Sequence, residues 1–183
     1  MTELIKGRPL NTADRIPAEA EAYDFLDRLG IEYYRVDHEP AMTMEICREI
    51  EKTLKAGICK NLFLCNRQET SFYLLLMPGE KKFKTKDLSA QLGVSRLSFA
   101  SDINMQKYLG LTPGSVTVLG LMFDIEKNVR LVIDRDILDN PEIGIHPCIN
   151  TTCVRLKTQD LIDKLIPATG HDYTVVNLPD YNE

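Results

Sequence analysis

Apolar positions change period several times along the chain, and each change predicts an element. Ala22, Phe25, Leu26 and Leu29 recur at helical spacing behind Pro17, and Gly30 follows as a stop, which predicts a helix over 17–29. "IEYYRVDH" then reads as a strand. Thr43 stands at the capping position for a helix through "MEICREIEKTL", with Ile46 and Ile50 on one face. "CKNLFLCN" and "SFYLLLMP" are apolar runs around the polar "RQET", the pattern of a hairpin. "KTKDLSAQLG" predicts a short helix closed by Gly93, "SRLSFAS" an extended stretch, and Asp102 a cap for "INMQKYLG". "SVTVLGLMFD" and "NVRLVIDRDIL" predict two strands, the second rich in β-branched residues. "TTCVRLK" predicts another strand, Thr158 a cap for a last helix through "TQDLIDKLIPATG", and "YTVVNLP" a final strand.

Helices and strands alternate without a clean βαβ rhythm, which predicts an α+β single domain with a mixed sheet flanked by helices. Residues 1–16 carry no period and read as an N-terminal extension, loose or docked, ahead of a domain over 17–183. With 183 residues, 44% hydrophobic and 27% charged, the chain is long enough to bury one proper core. No apolar run approaches the length of a bilayer span, and "MTELIKGRPLNTADRIP" lacks the apolar stretch of an export signal. The expectation is a cytoplasmic protein with no membrane partner.

Charge sharpens this picture. Residues 1–45 carry 5 basic and 10 acidic groups, residues 46–110 carry 11 and 6, and residues 111–183 carry 6 and 11, so nets of −5, +5 and −5 sum to the overall −5. A basic middle third within an acidic protein suits local contact with a polyanion, or a solvated charged surface.

The densest candidate chemistry is "GIHPCINTTCVRL" at 144–156. A zinc site needs three or four ligands at usable spacing. His146, Cys148 and Cys153 supply three, but a loop-to-strand transition separates the cysteines and no partner motif lies elsewhere. His38 and His171 sit at other strand edges, where a lone histidine is more often structural. A thiol nucleophile needs a base in reach, and His146 and Cys148 at i and i+2 of an extended segment do not meet. The five cysteines form no C-x-x-C pair, and Cys59, Cys65 and Cys153 alternate with apolar residues as small buried hydrophobes do. Two other features qualify. Lys60, with Asn61, leads straight into "NLFL", where its charge can face a ligand. "TPGSV" is a turn whose Gly114 permits close backbone approach.

"CKNLFL" (59–64), "SRLSFAS" (95–101), "LGLTPGSVT" (109–117), "VRLVID" (129–134) and "HPCINTT" (146–152) occur in this order, behind "DHEPAMTMEICREIE" (37–51) with its H-x-x-A-x-T-x-E pattern. Together they resemble the prolyl-tRNA editing family, the YbaK-like domains also found inserted in bacterial prolyl-tRNA synthetases, over roughly residues 18–176. The Lys-Asn start, the "TPGSVT" loop and the His-Pro motif are most similar to the free-standing Ala-tRNA(Pro) deacylase branch.

The resemblance implies a mostly antiparallel, curved sheet and hydrolysis of the ester joining a mischarged amino acid to tRNA(Pro), without metal, cofactor or covalent nucleophile. Its partners would be the tRNA(Pro) acceptor end and, beyond it, prolyl-tRNA synthetase. It implies catalytic roles for Lys60, Gly114 and His146. Asn61, Arg96, Ser115, Val116, Asn150 and Thr151 would contact substrate, Arg96 on the acceptor stem or a terminal phosphate. Val118 stands where the family loop often has proline, and Cys153 where threonine or serine is usual. Rival readings are a deacylase for cysteine or serine, and a non-catalytic tRNA-binding or regulatory module.

Overall fold

A computed structural model describes residues 3–40 and 43–181. Its elements run β1 (Ile5–Lys6), α1 (Pro17–Arg28), β2 (Tyr33–Asp37), α2 (Met44–Leu54), β3 (Cys59–Cys65), β4 (Phe72–Pro78), α3 (Thr85–Leu92), β5 (Ser98–Phe99) and α4 (Asp102–Leu109). A 3₁₀ turn (Val118–Met122) precedes β6 (Val129–Asp134), α5 (Arg135–Leu138), β7 (Glu142–Ile145), β8 (Thr152–Lys157), α6 (Thr158–Asp160), a π turn (Leu161–Leu165), α7 (Ile166–Thr169) and β9 (Tyr173–Val176).

The α+β class holds, with the strands divided between two sheets. One has the order β1-β2-β8-β7 and is antiparallel throughout; the other has the order β5-β3-β4-β6-β9, with β4-β6 and β6-β9 parallel. Alternation along β3 and β4 explains how the second sheet is buried on both faces. Phe63, Phe72, Leu74 and Leu76 enter the main core, which also takes Tyr23 and Leu26 of α1 and Val154 and Leu156 of the other sheet. Leu64, Tyr73, Leu75 and Met77 face the opposite way, onto Leu88 of α3. A third cluster sets Ile50 and Leu54 of α2 on Val36 and Cys153, covering the far face of the first sheet. Burying an aliphatic side chain such as Leu54 contributes about 1.5–3 kcal/mol.

Several expectations are met locally. Gly30 ends the first helix at φ +65°, Thr43 caps α2 by accepting from Ile46 N at 3.3 Å, and Gly93 closes α3 at φ +66°. The "RQET" hairpin forms with Cys59 opposite Pro78 and Cys65 opposite Phe72. The extension is docked: Ile5 and Lys6 pair with Arg35 and Tyr34, and Arg15 reaches Asp37.

Others are corrected. "SVTVLGLMFD" is a 3₁₀ turn rather than a strand, because Val118, Leu119, Gly120 and Leu121 are all buried and nothing alternates. A side chain at Gly120 would meet Leu111 Cδ1 at 2.7 Å, so the turn is wedged against that residue. Ser101, not Asp102, caps α4 by accepting from Asn104 N at 3.2 Å. Thr158 does not cap the last helix; its hydroxyl donates to Asn140 O. That helix widens into a π turn before Pro167, whose ring cannot donate to the carbonyl four residues back. The strand β7 was not foreseen. Its Gly144 donates to Gly57 O at 2.8 Å, and a Cβ there would lie 2.8 Å from Leu54 Cδ2, so the site needs glycine for close packing.

Candidate active site

The antiparallel register of β2 and β8 puts Asp37 opposite Thr152. Just past that pair, His38 N donates to Thr151 O at 2.9 Å, which holds His38 beside the segment leaving the His-Pro motif. Arg15 and Thr152 fasten the strand ends: Arg15 Nη2 lies 3.0 Å from Asp37 Oδ2, and Thr152 Oγ1 donates to Asp37 Oδ1 at 3.0 Å. Burial alone would raise the Asp37 carboxyl, but these two bonds outweigh it and hold it below its usual range.

Beside this junction lies a cavity of about 290 Å³, bordered by the first turns of α2, the start of β3, Gly79–Glu80 after β4, the Gly114 turn and the segment 146–153. Gly114, His146 and Asn150 all line it. Gly114 sits at φ +85°, and a Cβ there would lie 3.5 Å from Asn150 Nδ2. The left-handed backbone favours glycine, and the missing side chain leaves the turn open to an approaching group.

His146 Nδ1 is 2.9 Å from Thr152 O, so that nitrogen carries the proton and Nε2 remains an acceptor. Burial lowers its pKa below 6.5, and neighbouring His38 lowers it further against the opposing carbonyl bond. The ring is therefore neutral at pH 7.

His38, set aside in the sequence as structural, and Cys153, weighed there as a zinc candidate and as buried packing, both line the cavity. His38 Nε2 is 3.3 Å from Cys153 Sγ, and His146 Nδ1 is 3.5 Å from the same sulfur. Burial raises the Cys153 thiol well above its ordinary value, so at neutral pH it is protonated. Cys148, the other candidate in that stretch, is turned into the main core at φ +62° with its thiol raised to about 12 by burial. The alanine of the H-x-x-A-x-T-x-E pattern, at position 41, lies outside the described residues.

The remaining expected site residues lie elsewhere. Cys59 lines the cavity, so its neighbour Lys60 points to the opposite face of β3. There Lys60 Nζ donates to Lys81 O at 2.9 Å, and desolvation lowers its pKa from 10.5. Lys60 and Arg96 share an open cleft with Lys82, Lys84 and Lys86, floored by Leu62, Phe83 and Phe99. Lys81 itself is buried between Asp134 at 2.8 Å and Asp136 at 2.9 Å, which fixes the carbonyl that Lys60 uses.

Asn61 Nδ2 makes a long bond of 3.5 Å to Cys59 O, while its Oδ1 is buried and has no partner among the described residues. Ser115 is committed to its own turn, donating to Thr112 O at 2.8 Å. Val116 packs on the main core. Thr151 contributes its carbonyl to His38 rather than facing the cavity.

Comparison with known proteins fits this layout. Residues 38–164 match the aminoacyl-tRNA editing domain family. Over 153 residues the chain is 33% identical to the prolyl-tRNA editing protein ProX of Acetoanaerobium sticklandii, covering 84% of this chain and 93% of that protein. It is 30% identical over 162 residues to the prolyl-tRNA synthetase associated domain-containing protein 1 of Mus musculus, covering 86% and 95%. The fold is shared with a solved structure described as a candidate trans-editing enzyme for prolyl tRNA synthetase, at TM-score 0.64 and 16% identity, over 90% of this chain and 99% of that one. The chain belongs to the aminoacyl-tRNA editing domain family.

Proposed function

We propose that this protein is a trans-acting deacylase that hydrolyses the ester between a mischarged amino acid and the 3′-terminal ribose of tRNA(Pro), with alanine the amino acid removed. The observation that carries the reading is the convergence of Gly114, His146 and Asn150 on one cavity in a chain of the editing family. The related ProX protein is named for prolyl-tRNA editing, which supports tRNA(Pro) as the substrate.

An aminoacyl ester is already activated, so a positioned water and stabilisation of developing charge suffice. Neutral His146 offers Nε2 to accept a hydrogen bond from that water or from the ribose hydroxyl. The open Gly114 turn lets backbone N–H groups approach the ester carbonyl. His38 and Cys153 form the wall beside His146. Lys60 orients the 3′ end from the adjoining cleft as a fixed charge rather than as a base. That cleft carries Lys82, Lys84, Lys86 and Arg96 around Phe83 and exposed Phe99, the combination of cations and aromatic faces that suits a single-stranded nucleic-acid end.

Rejection of proline rests on shape, because one methylene contributes only about 1–3 kcal/mol of discrimination. The reading places the protein in the cytoplasm, where charged tRNA is found, with prolyl-tRNA synthetase as the source of the substrate. No helix among the described residues is long and apolar enough to cross a membrane.

The test is a panel of Ala-, Ser-, Cys- and Pro-tRNA(Pro) incubated with the wild-type protein. The reading expects alanine release first and proline retained. A protein that shifts tRNA mobility and releases no amino acid is a binding module, and preferential release of serine or cysteine reassigns the amino acid.

A further inference from the structure

The thiol that looked like packing in the sequence is the centre of a cluster. One ligand atom from each of His38, His146 and Cys153 lies within 4.8 Å of the others. His38 lies more than a hundred residues before His146 and Cys153, and β2–β8 pairing brings it to them.

Three features exceed chance proximity. First, the separation of 3.3 Å between His38 Nε2 and Cys153 Sγ matches two ligands of a tetrahedral zinc site. Bonds of ~2.0–2.1 Å to nitrogen and ~2.3 Å to sulfur set those ligand atoms roughly 3.5 Å apart. Second, each imidazole holds its Nδ1 on a backbone carbonyl, Glu39 O at 2.7 Å and Thr152 O at 2.9 Å. That is the outer-shell bond by which metal-binding histidines fix the tautomer and keep Nε2 free. Third, His38, His146 and Cys153 all line one cavity, and Glu51 lines the same cavity. A doubly charged cation, a Cys153 thiolate and the Glu51 carboxylate would sum to zero charge.

We propose that His38, His146 and Cys153 form a three-ligand site for a thiophilic divalent cation, Zn²⁺ above all, with its fourth position open to the cavity. Binding converts the Cys153 thiol to a thiolate bonded to the metal and releases one proton to solvent. Imidazole with thiolate selects this class of ion over Mg²⁺ or Ca²⁺, which take oxygen ligands. Because His146 also borders the proposed ester site, an ion seated there occupies the space of the substrate. That consequence rests on the editing reading, whereas the binding itself does not.

The experiment uses Co²⁺ as a spectroscopic probe on the full-length protein after chelation and dialysis. Titration should give a sulfur-to-cobalt charge-transfer band that saturates at one ion per chain and disappears on adding Zn²⁺. Cys153→Ser should abolish the band. His38→Ala should keep the protein folded and weaken Co²⁺ binding at least ~10- to 100-fold, the loss that even an outer-shell partner can cause. A circular-dichroism melt of each variant separates lost binding from lost fold. Absence of the band in the wild-type protein overturns the site, as does a band that survives Cys153→Ser or binding unchanged in His38→Ala. None of these readouts depends on tRNA turnover.

Discussion

The two openings on either side of β3 are built from opposite materials. The cavity on the Cys59 side sets imidazoles, thiols and apolar side chains of α2 beside Arg48, Glu51 and Glu80, and burial keeps His146 and Cys153 uncharged. The cleft on the Lys60 side is open and carries five cations over an aromatic floor. One residue step in an extended strand separates them. A pocket that keeps its imidazole and thiol uncharged suits bond-breaking at close range; an open cationic cleft suits holding a polyanion with little geometric demand. The contrast divides the labour of a nucleic-acid esterase between two faces of a single strand.

The sharpest way to break that division is to disable each side separately. His146→Ala should lower the single-turnover deacylation rate on the order of 100-fold or more, the usual scale for a group that handles a proton, with tRNA affinity retained. Lys60→Ala should cost roughly 10- to 100-fold in kcat/KM, the value of ~1.5–3 kcal/mol for a charged hydrogen bond, and leave the thermal melt near that of the wild type. If its loss sits wholly in kcat, Lys60 reaches the reacting ester and the division fails. The double change Lys82→Ala with Lys86→Ala should weaken tRNA binding several-fold and flatten the log K against log salt slope by about 1–2, since each lost phosphate contact removes ~0.7–0.9.

A pH profile sharpens the other side. The His146 value is depressed in the folded protein, so its neutral form is favoured in both states above 6.5. As pH falls, the unfolded chain takes up the proton first. The stabilising contribution is thus complete above 6.5 and is lost as pH drops through the lower folded value. The acid limb of the deacylation profile should therefore fall below 6.5, and His146→Gln should remove it.

Much of this was legible where the information is local. The hairpin of β3 and β4 follows from alternation and the "RQET" turn, and the same alternation implies that Cys59 and Lys60 face opposite ways. The turn at Gly114 and the wall at His146 were marked by residue types that turns and ligand sites require. What was hidden depends on pairing across the chain. Nothing near His38 announces that it will meet Cys153, because the register of β2 on β8 is set by packing of distant segments. The 3₁₀ turn at Val118–Met122 was hidden for another reason: a short, wholly buried apolar run has no period with which to distinguish strand from turn.

The central claim is that chemistry takes place in the cavity at His146. It is tested most directly by the single-turnover release of alanine from Ala-tRNA(Pro), measured at saturating protein for the wild type beside His146→Ala. The account predicts full release by the wild type and a rate at least about 100-fold lower for the variant. Equal rates for the two proteins, or no release by either, would contradict it.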